Sequence, residues 1–161
     1  MIRLCRLVCD LPGHDHGRYR SRTLANALND MRCEPARILV ADDERITRNV
    51  LRFGLEQKGF AVTVARDGGQ AWELLRAEEF DLVVTDYQMP VMNGEELCRR
   101  MRQDERLRGT PVLLLSAKGM EIDAAQFRRE FGVYAIIFKP FSPAGVAATI
   151  DACLREKAQL V

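Results

Sequence analysis

FDLVVTDYQMPVMNG, residues 80–94, reads as an apolar run that halts at one carboxylate and then turns. Leu82, Val83 and Val84 follow one another without alternation, the pattern of a short strand covered on both faces in a parallel sheet. Asp86 therefore stands at the carboxyl end of that strand, the edge where open α/β sheets bind ligands because the loops diverge there. Met89-Pro90 and Asn93-Gly94 break the strand and steer the chain into a helix. A lone aspartate in this setting would be read as a cap or a turn residue. The neighbouring strands give it company.

Upstream, Ile38 to Ala41 is a second short apolar run, and it stops at Asp42-Asp43-Glu44. Ile46, Val50, Phe53 and Gln57 then recur at helical spacing, which predicts the face that α-helix turns to the core, with Gly59 as its stop. A strand over Ala61 to Ala65 follows, closed by Asp67-Gly68-Gly69, and Ala71, Trp72, Leu74 and Leu75 mark a short helix with Trp72 as a packing anchor. Downstream of the opening stretch, Leu97 and Met101 mark a third helix. Its outer face carries Arg99, Arg100 and Arg102 among Glu95, Glu96, Asp104 and Glu105, a mixture that reads as solvated rather than as a nucleic-acid surface. A strand from Pro111 to Leu115 ends at Ser116-Ala117-Lys118-Gly119. A helix from Glu121 to Phe131 has few apolar anchors (Ile122, Ala125, Phe127), which predicts low local stability. The last strand, Ala135 to Phe138, ends at Lys139-Pro140-Phe141, after which Ser142 caps and Pro143 opens a helix with Val146, Ala147, Ile150 and Leu154 on one side. Strands alternating with helices in this way predict an α/β fold, a doubly wound five-stranded parallel sheet with right-handed crossovers.

The chain has 161 residues, 47% of them apolar and 29% charged, enough for one well-buried core and too few for two full domains. Lys and Arg number 24 against 23 Asp and Glu, so a net charge of +1 exerts no general pull towards nucleic acid or anionic lipid. No apolar run approaches the length of a membrane span, and charges interrupt the opening MIRLCRLVCDL too often for a signal-peptide core. Cys5, Cys9, Cys33, Cys98 and Cys153 are odd in number and scattered, as reduced thiols in a cytoplasm are. Residues 1–36 differ in character and read as an amino-terminal extension, irregular through GHDHGRYRSR, with a short helix predicted after Ser21 as its cap and lined by Leu24, Leu28 and Met31. Cys5, Cys9, His14 and His16 are zinc-type ligands, but their spacing is not that of a paired knuckle, and a chance cluster is the better reading.

What gathers at the strand ends is Asp42 and Asp43, Asp86, Ser116 and Lys139. Carboxylates held close together raise one another's pKa unless a cation sits among them, and hard oxygen ligands suit Mg²⁺ better than zinc. Lys139 adds a mobile point charge and Ser116 a neutral donor. That set matches the needs of a phosphoryl group on Asp86: a metal and an ammonium on its oxygens, and a hydroxyl to register its presence.

In these motifs the chain resembles the receiver domain of two-component response regulators. The resemblance rests on Asp42-Asp43, the D-x-x-M-P-x-M-x-G pattern from Asp86 to Gly94, Ser116-Ala117 and Lys139-Pro140-Phe141, and it covers residues 37 to about 157. It implies a flavodoxin-like (βα)5 fold, with Asp86 as the acceptor of a phosphoryl group from a phosphohistidine on a histidine kinase or a histidine phosphotransfer protein. It further implies Mg²⁺ held by Asp42, Asp43, Asp86 and the backbone carbonyl of Gln88, with Lys139 paired to the phosphoryl group through a chain whose Lys139-Pro140 bond is cis. Ser116 would move inward on phosphorylation, and Gln88 and Lys118 would tune how long the phosphoryl group lasts. The family's aromatic on the fifth strand is here Ile136, so its usual rotamer switch is not available, and Tyr134 and Phe138 are expected to serve packing. The face of the fourth helix, fifth strand and fifth helix is the expected partner surface, with a homodimer as one use of it.

Two other readings compete. An aspartate-nucleophile phosphatase would need a second Asp two residues after the first as general acid, and Gln88 stands there. A docking module that is never phosphorylated would be expected to lack part of the acidic set or the lysine, and this chain keeps both. Thirty-six leading residues are too few for a helix-turn-helix with its own core. The expectation is a cytoplasmic single-domain regulator or phosphorelay intermediate that binds a downstream protein, binds no nucleic acid directly, and catalyses nothing beyond its own phosphorylation and dephosphorylation.

Overall fold

The structure, a computed structural model, describes residues 34–117 and 124–159. The extension with Cys5, Cys9, His14, His16 and the Leu24-Leu28-Met31 pattern lies outside the described residues, as do Lys118 and Ile122.

Five parallel strands form one sheet: β1 (Arg37–Ala41), β2 (Ala61–Ala65), β3 (Leu82–Asp86), β4 (Val112–Ala117) and β5 (Ala135–Lys139), in the order β2-β1-β3-β4-β5. The helices are α1 (Arg45–Glu56), α2 (Gly68–Ala77), α3 (Gly94–Gln103), α4 (Ala124–Phe131) and α5 (Pro143–Gln159). The expected doubly wound, flavodoxin-like sheet is therefore present. Its order reverses between β1 and β3, and such a switch point opens a crevice at the carboxyl ends.

Alternate strand residues feed two cores. On one face Ile38, Val40, Leu82, Val84, Leu113 and Leu115 meet Leu51 and Leu55 of α1 and Val146, Ala147 and Ile150 of α5. On the other, Leu39, Val83 and Leu114 meet Ala71 and Leu75 of α2, Leu97 and Met101 of α3, and Phe127 and Phe131 of α4. β3 is buried at all five positions. β5, at the sheet edge, is only partly covered, and Phe138 is 48% exposed, which corrects the packing role expected of it.

The apolar face predicted for α1 is corrected by the structure. Ile46, Val50 and Phe53 are 70%, 46% and 66% exposed, and Leu51 and Leu55 are the residues that reach the sheet. The helix carries two apolar stripes, and the one with Leu51 and Leu55 faces the core. Arg48, seven residues before Leu55 and three before Leu51, lies on that inward face and is tied to the β1–α1 turn. Two smaller corrections concern other helices. Phe131 joins Phe127 as an anchor of α4 while Ala125 is exposed, and Arg102 turns inward from α3 while Arg99 and Arg100 stay outside, paired with Glu95 and Glu96. No helix among the described residues is long and apolar enough to cross a membrane.

Candidate functional site

The β3–α3 turn places the central carboxylate. Gly94 N–H donates to the Tyr87 carbonyl at 2.9 Å, Asn93 caps α3 by accepting from Glu96 N–H at 2.8 Å, and Met92 N–H closes on the Pro90 carbonyl at 2.7 Å. A side chain at position 94 would put its Cβ 2.4 Å from the carbonyl oxygen of Asp86, so only glycine lets the helix start this close to the strand. The strain of the turn falls on Val91, an exposed β-branched residue at φ +68°, and not on Asn93-Gly94.

Asp86 is 5% exposed and Asp42 fully buried, and both reach Lys139. The ammonium lies 2.7 Å from Asp86 Oδ1 and 3.0 Å from Asp42 Oδ2. Asp86 Oδ2 accepts from the N–H of Gln88 at 2.9 Å, and Asp42 Oδ1 accepts from the N–H of Glu44 at 2.8 Å. Burial pushes the Asp42 carboxyl above its ordinary value, against the pull of the Glu44 N–H and of Lys139. Burial pulls Lys139 down, but the hydrogen bonds and charges of Asp86 and Asp42 outweigh it and leave the ammonium strengthened. The Lys139-Pro140 bond is cis, as the resemblance implied.

The sequence-predicted residues divide into those brought together and those nearby. Asp42, Asp86 and Lys139 form one hydrogen-bonded group. Ser116 is buried on β4, one residue beyond the Leu115 that pairs with Asp86, and its hydroxyl donates to the Ala117 carbonyl at 3.4 Å. Asp43 is exposed at the rim. Gln88 meets Asp86 through its N–H. Among the described residues, no three His, Cys, Asp or Glu side chains already form a metal cage. The donor chemistry still fits a hard divalent cation. Asp42 and Asp86 share one ammonium and so lie within reach of one ion, and two buried carboxylates facing a single Lys leave negative charge over.

Two residues that sequence reasoning passed over belong to this region. Arg48 donates from Nη1 to the carbonyls of Asp42 and Asp43 at 2.6 and 2.8 Å. Tyr87, next to the acceptor, sets its ring edge-on to Phe127 of α4 with centroids 5.8 Å apart, while Ile136 packs in the same core. Neither carries a sequence signal, because the acceptors of Arg48 are backbone atoms and Tyr87 looks like any aromatic after a strand.

A doubly wound sheet whose switch point holds two buried aspartates on one lysine, with a buried hydroxyl on the next strand, defines a receiver-type module. The model of the response regulator receiver domain family matches residues 38–151, and the chain belongs to that family. Among curated proteins it is 38% identical over 119 residues to the alkaline phosphatase synthesis transcriptional regulatory protein PhoP of Bacillus subtilis, covering 74% of this chain and 48% of that one. To the transcriptional regulatory protein ResD of the same organism it is 37% identical over 123 residues, covering 76% and 50%. The chain thus spans about half the length of these relatives. Among solved structures, the chemotaxis response regulator CheY4 of Vibrio cholerae superposes with a TM-score of 0.68 at 28% identity, over 73% of this chain and 98% of that one.

Proposed function

We propose that this receiver domain accepts a phosphoryl group on Asp86 from a phosphohistidine of a histidine kinase or histidine phosphotransfer protein, and passes the change to a protein partner. The observation that carries the reading is the contact of one ammonium, Lys139, with the buried carboxylates of both Asp42 and Asp86. An Asp86 oxygen attacks phosphorus, the nitrogen–phosphorus bond breaks, and the imidazole leaves with the bonding pair. Gln88 N–H and Lys139 hold the carboxylate in one orientation for that attack. Lys139 then follows the new charge on the phosphoryl oxygens, which loosens its bond to Asp42. Asp42, Asp43, Asp86 and the Gln88 carbonyl would hold Mg²⁺, which when bound neutralises charge on the transferred group. Ser116 supplies the hydroxyl that turns from the Ala117 carbonyl towards the phosphoryl group.

The exposed stripe of Ile46, Val50 and Phe53 on α1, which starts just after the acidic doublet, supports docking of a protein donor. Tyr87 and Phe127 offer α4 a contact with the end of the acceptor strand in place of an aromatic at position 136 of β5. The face of α4, β5 and α5, where Phe138 is exposed, is the surface for a downstream protein or a second copy. The protein turns over no separate substrate in this reading.

Incubation with acetyl phosphate and Mg²⁺ tests it. One hydroxylamine-labile phosphoryl group is expected on Asp86 by peptide mass mapping, absent from Asp86→Asn and without Mg²⁺. Multiple turnovers of the donor by the Asn variant, or no modification of the wild type, would overturn the reading.

A further inference from the structure

The acidic doublet needs a holder, and the described structure offers one outside the reacting group. Asp42 is fixed through its side chain by the Glu44 N–H and Lys139. Asp43 differs: its carboxylate is exposed and accepts no hydrogen bond among the described residues. The direction in which its side chain leaves the backbone depends on the two peptide planes around it. Both planes end in carbonyls held by the same nitrogen of Arg48, at 2.6 Å from Asp42 and 2.8 Å from Asp43. Fixing two successive carbonyls leaves little freedom in the torsions between them.

The location argues further. Glu44, at the N-cap of α1, caps no backbone N–H with its side chain, and no acidic residue follows in the first turn. A guanidinium near the positive end of a helix is disfavoured by the helix dipole. Here that cost is met by bonds to the carbonyls of the doublet, and the cation also offsets part of the charge that three clustered carboxylates would bring.

Building on the reading under Proposed function, we propose that Arg48 is a positioning residue for the cation site. It sets Asp43 and Asp42 for Mg²⁺ while touching neither the ion nor the phosphoryl group. Groups that orient metal ligands in this way change metal affinity when removed.

The experiment is an Mg²⁺ titration of the full chain followed by backbone amide shifts of the β1–α1 turn, with thermal unfolding in parallel. Arg48→Ala is expected to weaken Mg²⁺ binding about tenfold, with Arg48→Lys recovering part of the loss. Arg52→Ala, which removes an exposed ion pair with Glu56 on the same helix, is expected to leave affinity unchanged. Acetyl phosphate labelling of Arg48→Ala should regain most of the wild-type rate at saturating Mg²⁺, since the defect lies in binding the ion. Arg48→Ala affinity within twofold of wild type, with only the unfolding temperature lowered, would reduce Arg48 to a structural residue. If Arg48→Ala does not fold, Arg48→Met, which keeps the aliphatic stem and loses both carbonyl bonds, would overturn the proposal equally by binding Mg²⁺ at wild-type affinity. A wild type that binds no Mg²⁺ would instead overturn the functional reading on which this one stands.

Discussion

Lys139 on β5 and Arg102 on α3 are both half-buried cations, and their surroundings are opposites. Lys139, at the carboxyl edge, meets two carboxylates. Arg102, on α3 near the amino ends of β4 and β5, meets only neutral carbonyls: Nε donates to Phe131 at 3.0 Å, Nη2 to Gly132 at 3.0 Å, and Nη1 to Arg108 and Thr110 at 2.9 and 3.0 Å. Burial pulls the Arg102 guanidinium below its ordinary value. Burial works against Lys139 as well, yet its two carboxylates hold it above its own. A cation partnered by side-chain charges can exchange partners when a phosphoryl group or a metal arrives. A cation partnered by fixed carbonyls can only rivet loops together, here the α3–β4 and α4–β5 connections. The domain therefore keeps its exchangeable charge at the carboxyl edge of the sheet and its fixed charge on a helix near the amino ends of β4 and β5.

The sharpest way to break this contrast is to remove Lys139. In Lys139→Ala the rate of labelling by acetyl phosphate is expected to fall about 100-fold, the scale of losing one preorganised donor to a developing charge. The variant should also be less stable than wild type without metal, because Asp42 and Asp86 then face each other unpaired, and Mg²⁺ should restore much of that loss. Urea unfolding with and without Mg²⁺ measures it. Labelling at the wild-type rate would remove Lys139 from the chemistry altogether.

Arg102→Leu is the converse test. It strands the part-buried carbonyls of Phe131, Leu107 and Thr110, while those of Arg108 and Gly132 are exposed to water, and the expected cost is about 2 kcal/mol of unfolding free energy. Mg²⁺ should not restore it, and labelling of Asp86 in the folded variant should stay within twofold of wild type. Loss of labelling with the fold intact would mean that the two edges are coupled, and the contrast would fail.

The two cations also differ in how they can be read from the sequence. Lys139 is legible because it ends an apolar run in register with other runs ending in Asp42, Asp86 and Ser116, and strand period and order suffice to bring such ends to one edge. Arg102 reads as part of a solvated face with Arg99 and Arg100. Nothing in the residue type separates an arginine paired with Glu from one that reaches backbone oxygens, since carbonyls leave no mark on the sequence. Arg48 escapes notice for the same reason. α1 shows a second limit: Ile46, Val50 and Phe53 and the Leu51 and Leu55 pair both fit a helical period, and the period does not say which of them faces the core. The strain at Val91 likewise belongs to a backbone path, and the Met89-Pro90 and Asn93-Gly94 pairs that mark the turn do not say which residue bears it.

The smallest expected effect probes how far the fixed charge of Arg102 reaches. Cys98 sits one turn before it on α3, fully buried. A neighbouring cation favours thiolate, and burial opposes it; here burial is the larger influence and the thiol is pushed up to about 12, with Arg102 only moderating the rise. A thiol whose pKa is raised in the folded state favours the neutral form there, so its contribution is complete below the unfolded value of about 8.5 and declines above it. Between pH 7.5 and 9.5 the wild type is expected to lose about 1 kcal/mol more stability than Cys98→Ala, within the limit of about 1.4 kcal/mol per unit for one group. Urea unfolding at the two pH values gives the difference, and slow alkylation of Cys98 in the native state at pH 8 would agree with it. If the wild type instead lost less than Cys98→Ala, the guanidinium field would be acting on the thiol more strongly than burial does. Arg102 would then be a charge still available to its neighbours, not one consumed by the carbonyls that hold it.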